Sequence, residues 1–193
     1  MSWTTNPADG FALMEDNELL IGQLYRQYAV KLPRQVRLWS GLARDEIQHA
    51  WLLRRLRSRL PAQRRHDDRD GIDAGSLCTF RDFMKGLLYS TLEKDPASES
   101  AIHSALYIQW SLLEQDFFQM SDEDPEEVRT VMQTLSAGTR RHRGRLLRAL
   151  ARNRKDSREA RVGEDEAVAA ERGFVLPRSC VEFNHLVFFP LEA

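Results

Sequence analysis

One stretch constrains this chain more than any other: between Leu42 and Leu53 a carboxylate and an imidazole interrupt an apolar helical stripe. Leu38, Leu42, Glu46, His49, Leu53, Leu56 and Leu60 recur at steps of three and four, which places all seven on one helix face. Glu46 and His49 therefore point where leucines point. A buried, ionised carboxylate left without a partner costs several kcal/mol, so a chain that puts one there must compensate it. A metal ion or a salt bridge does so, and residues three apart on a helix are close enough to share one ion.

The flanking segments read as further helices. The first runs from Asp9 or Phe11 to Leu32, where Pro33 ends it, and its stripe of Glu18, Ile21, Tyr25, Tyr28 and Leu32 brings a second carboxylate to the same core. Pro33 suits the first turn of the second helix, which runs to Leu60, and so short a connection makes the two antiparallel neighbours. Residues 61–71 are polar and read as an exposed connection, while Phe80, Phe83, Met84, Leu87, Leu88 and Leu92 predict a crossover helix over residues 77–93.

A third long helix is expected from Pro96 to Met120, with Ile102, Leu106, Gln109, Leu113, Phe117 and Met120 inward and Glu114 at the edge of that face. A fourth opens after Pro125 and reaches at least Ala151, its stripe being Val128, Val131, Leu135, Thr139, His142, Leu146 and Leu150. From 156 to 172 the composition turns strongly charged and reads as a frayed helix end or linker. The apolar, aromatic stretch from Gly173 onward lacks helical periodicity and reads as a tail.

At 193 residues the chain suffices for one well-buried domain, set at residues 9–155, followed by the linker and tail at 156–193. No apolar run approaches the length of a membrane span, and residues 1–7 lack the basic leader and apolar core of a secretory signal, so a cytoplasmic protein is expected. Cys78 and Cys180 form neither a disulfide framework nor a Cys-x-x-Cys pair. Two arginine clusters, one from Arg54 to Arg65 and one from Arg140 to Arg161, read as solvated helix ends that meet the negative end of the macrodipole. No aromatic residues interleave with them, so a nucleic-acid partner is not expected.

The second and fourth helices repeat one another. Leu42-Ala43-Arg44-Asp45-Glu46-Ile47-Gln48-His49 aligns with Leu135-Ser136-Ala137-Gly138-Thr139-Arg140-Arg141-His142, the histidines matching and the glutamate replaced by Thr139. With a Glu on the first helix and Glu-x-x-His on the second, the chain over residues 9–152 resembles the ferritin-like superfamily, most of all its rubrerythrin branch.

That resemblance implies an all-α fold: a ferritin-like four-helix bundle with a helical crossover and an irregular C-terminal tail. It implies metal ligands at Glu18, Glu46, His49 and His142, iron as the metal with zinc or manganese as alternatives, and redox activity toward peroxide or dioxygen. Two of the family's carboxylates are missing, since Gln109 stands where the third-helix Glu is expected and Thr139 where the fourth-helix Glu would bridge. A hard dication needs anionic ligands, so at most one tightly held ion per chain is expected. The competing reading is a non-catalytic bundle in which the same four residues form a buried hydrogen-bonded cluster and the molecule works through contacts. An apolar helix face would serve a homodimer; neither sequence nor resemblance names the electron donor.

Overall fold

In the computed structural model of the chain, the described residues are 10–60, 74–114, 118 and 122–171, with the backbone alone described for 114 and 157–171. All regular structure among them is helical: α1 Gly10–Lys31, a 3₁₀ turn Pro33–Gln35, α2 Val36–Arg59, α3 Ala74–Glu93, α4 Ser98–Glu114 and α5 Glu126–Glu171. None of these helices is long and apolar enough to cross a membrane.

The chain divides into two units, Met1–Asn153 and Arg154–Ala193. In the first, α1 and α2 run antiparallel, as the short turn at Pro33 requires. Glu15 meets Arg54 and Arg57 at one end of the pair, Glu18 meets His49 in the middle, and Tyr25 and Tyr28 meet Trp39 at the other end. The α5 helix also runs antiparallel to α2, through Glu127 to Arg59, His142 to Glu46, Arg145 to Asp45 and Asn153 to Gln35. Asn17 Nδ2 on α1 donates to the Leu77 carbonyl of α3 over 3.2 Å, and α4 joins through Gln109 to Tyr25 and through Ser98 to Asn153.

The inward stripes hold for most positions. Ile21, Tyr25, Tyr28, Leu42, Leu53, Leu56, Ile102, Leu106, Val128, Leu135 and Leu146 are buried in one core that includes Trp39. Leu32, Leu38, Leu113, Val131 and Leu150 are partly buried against it. On α3, Phe80 and Met84 are buried, but Phe83 and Leu92 are exposed.

Several boundaries differ from expectation. The second helix begins with a 3₁₀ turn because Pro33 has no N–H to donate, and α-helical geometry starts at Val36. The third begins at Ser98, two residues after Pro96, and Phe118 lies in a turn; Phe117 and Met120 fall outside the described residues. The charged stretch expected to fray is instead helical backbone to Glu171. Ala, Glu and Arg dominate it, with Gly163 as the sole glycine and no proline, so helix propensity carries it. Arg140 to Arg152 thus lie within a helix and not at its end. The tail from Gly173 lies outside the described residues.

Candidate metal centre

Four helices bring side chains together around Glu46: Glu18 from α1, Glu46 and His49 from α2, Gln109 from α4 and His142 from α5. All are buried, Glu46 to 1% exposure and Gln109 to 0%, as is Thr139 on α5. Helical spacing does this locally, because each lies on the stripe that also carries the leucines of its helix.

Glu18, Glu46 and His49 come closest together: one ligand atom from each lies within 4.8 Å of the others. His49 Nδ1 is 2.9 Å from Glu46 Oε2 and 3.5 Å from Glu18 Oε2. Yet neither contact is a well-directed hydrogen bond, and Glu18 Oε2 and His49 Nδ1 are both buried without a hydrogen-bond partner. A carboxylate oxygen and a ring nitrogen at such spacing suit an ion once the ring has lost its proton, since ligand atoms about 2.0–2.2 Å from a tetrahedral centre stand roughly 3.4 Å apart.

His142 is placed differently from the other three expected ligands. Its Nδ1 lies 3.0 Å from Glu46 Oε1, the oxygen facing away from His49, and its Nε2 lies 3.4 Å from Asp45 Oδ2. The two imidazoles stack with centroids 5.4 Å apart. His142 therefore meets Glu46 at its other oxygen and stands outside the set of three. Gln109 donates from Nε2 to Glu46 Oε1 over 2.9 Å and to the Tyr25 hydroxyl over 3.1 Å. It turns N–H groups, not an oxygen, toward the centre. Of Glu114 only the backbone is described.

Electrostatics follow from burial and from these contacts. Burial, with the charge of Glu46 behind it, pushes the Glu18 carboxyl up to about 7, against the opposing pull of His49. Burial also acts to raise Glu46, but the close approach of His142 and His49 outweighs it and holds that carboxyl well below the usual range. Burial disfavours the His49 imidazolium, yet Glu18 and Glu46 together push it up to about 10. Burial and then Glu46 raise the Tyr25 phenol well above its ordinary value. Without an ion, the cluster therefore balances its charge with protons.

Residues that the sequence reading passed over complete the surroundings. Asp45 binds Arg145 Nη1 at 2.8 Å as well as approaching His142. Its signal was available, because it sits one position from Glu46 and so about 100° around the helix, toward α5. Glu15, buried three residues before Glu18, pairs with Arg54 Nε at 2.7 Å, so that part of the arginine cluster serves a buried carboxylate. Its spacing from Glu18 carried the signal. Among known proteins, no family, no curated sequence and no solved structure matches this chain.

Proposed function

We propose that this chain is a ferritin-like metal-binding protein whose bundle is α1, α2, α4 and α5 with α3 as the crossover, and that it holds one transition-metal dication between Glu18, Glu46 and His49. The observation that supports it most is the convergence of three buried donors within 4.8 Å, two of them lacking hydrogen-bond partners. Two carboxylates and a neutral imidazole balance a dication, and this mixed set suits iron first, with zinc or manganese as alternatives. When bound, iron would supply one-electron redox chemistry toward peroxide or dioxygen. The chain's own residues bind the ion, exclude water through the surrounding leucines, and hold Glu46 in place through Gln109 and His142.

A single ion follows from how the other side of Glu46 is filled. Gln109 and His142 both direct nitrogen at Oε1, and Thr139 offers no charge. A second dication there would find too little negative charge.

The same contacts favour a second reading, the non-catalytic bundle. Glu46 touches two histidines and an amide donor and is compensated without metal. Elemental analysis after anaerobic loading with Fe²⁺ separates the two. About one ion per chain, lost in Glu46→Ala and His49→Ala, is the outcome expected of the metal site; none favours the bundle that works through contacts, and two refutes the single-ion reading. A cytoplasmic homodimer belongs to the same proposal, with Phe83, Tyr107 and Trp110 exposed on α3 and α4 to serve a second copy.

A further inference from the structure

We infer that Gly138 is a positioning residue for the proposed centre: by lacking a side chain, it gives the His49 imidazole the space that lets Nδ1 face Glu18 and Glu46. This rests on the metal reading above and names a determinant of affinity that lies outside the ligand set.

The internal repeat shows where to look. Asp45 and Gly138 occupy equivalent positions, each one residue before Glu46 or Thr139, and each faces the histidine of the opposite helix. On one side, Asp45 Oδ2 stands 3.4 Å from His142 Nε2, and Arg145 steadies that carboxylate at 2.8 Å. The guanidinium of Arg145 in turn lies where a Cβ on Gly41 would be. On the other side there is no carboxylate to match. A Cβ built on Gly138 would fall 2.6 Å from His49 Cε1 and closer still to Nε2. The outer edge of the His49 ring thus lies against the α5 backbone itself.

The ring cannot retreat at little cost. Its Nδ1 edge abuts Glu46 at 2.9 Å and Glu18 at 3.5 Å, its face stacks on His142, and it is 5% exposed. Carbon atoms in contact sit about 3.5 Å apart or more, so an alanine at 138 requires a shift of roughly 1 Å. Metal–ligand distances tolerate about 0.2 Å. The shift is several times that tolerance, and its direction drives Nδ1 into the carboxylates. Glycine is also a far poorer helix former than alanine, so this residue opposes the local preference of α5.

The test is Gly138→Ala in the full chain, titrated anaerobically with Co²⁺, whose visible absorption reports coordination geometry. Gly144→Ala serves as the control, since a Cβ there meets only Arg148 Nη1 at an ordinary 3.5 Å. Expected are Co²⁺ binding 10- to 100-fold weaker in Gly138→Ala, the scale of effects from residues that orient ligands, with an altered spectrum, and unchanged binding in Gly144→Ala. Thermal melts complete a cycle with His49→Ala: Gly138→Ala should lower the melting temperature in the wild-type background and raise it when His49 is already alanine. That reversal separates a steric seat for His49 from a general effect on α5, and it can be read even if Gly138→Ala alone folds poorly. Equal Co²⁺ affinity in Gly138→Ala and wild type, or melting shifts of the same sign in both backgrounds, overturns the inference while leaving the metal site standing. A wild-type chain that binds no Co²⁺ overturns the metal reading and the role given to Gly138 together.

Discussion

The metal-free and metal-loaded forms should respond to pH in opposite directions. In the metal-free protein, Glu18 is raised from 4.5 to about 7 and His49 from 6.5 to about 10. Both groups bind protons more tightly folded than unfolded. Their stabilisation is fully present below the unfolded values and is lost as pH rises through the folded ones. At about 1.4 kcal/mol per pH unit, each alone represents roughly 3–5 kcal/mol, but they share one Glu18–His49 interaction and do not add. The expected loss from pH 5 to pH 9 is about 3–5 kcal/mol, or roughly 6–20 °C in melting temperature for a chain of this size. Glu46 acts oppositely: its lowered carboxyl contributes stability above about 4.5 that is lost as pH falls below it. Metal-free stability should therefore peak near pH 5. A bound dication requires Glu18 and His49 without their protons, so its affinity rises across the window in which metal-free stability declines. An ion at 100 times its dissociation constant adds about 2.7 kcal/mol. Circular-dichroism melts at pH 5, 6, 7, 8 and 9, with chelator or with excess metal, give both curves. The melting difference between loaded and metal-free protein should widen steadily with pH, and Glu18→Gln should flatten the metal-free decline below pH 7. A metal-free protein whose stability is level or increasing from pH 5 to pH 9 refutes the assignment of protons to this cluster.

Three further outcomes are expected. Glu46→Ala leaves two imidazoles and the Gln109 amide facing a vacated site and should cost about 3–5 kcal/mol in denaturant unfolding, with metal binding abolished; Asp16→Ala, at an exposed position on α1, should change neither. Thr139→Glu combined with Gln109→Glu should raise iron capacity toward two ions per chain by elemental analysis. The same pair should lower metal-free stability, because added carboxylates crowd Glu46. Glu15→Ala strips the buried partner from Arg54 and Arg57; since Arg54 is largely solvent-exposed, the loss should be about 1–2 kcal/mol in urea, with metal stoichiometry unchanged.

Local periodicity was enough to place Glu46 and His49 on an inward face, to bring Glu18 to the same core, and to set the α1–α2 turn at Pro33, because helical spacing and proline geometry act within a few residues. The helical continuation to Glu171 was equally local; propensity rather than amphipathicity carried it, and amphipathicity was the signal being read. Which atoms meet is another matter. That Gln109 turns its nitrogen to Glu46, that His142 takes the outer oxygen and leans on Asp45, that Glu15 draws in two arginines, and that Gly138 makes room for His49 all depend on the axial offset of α2 against α1, α4 and α5. A shift of one helical turn, about 5.4 Å, would break every one of those contacts while leaving each stripe intact. The sequence by itself determined which faces turn inward; the packing of the helices decided which buried groups become partners, since a stripe fixes direction around an axis but not position along it.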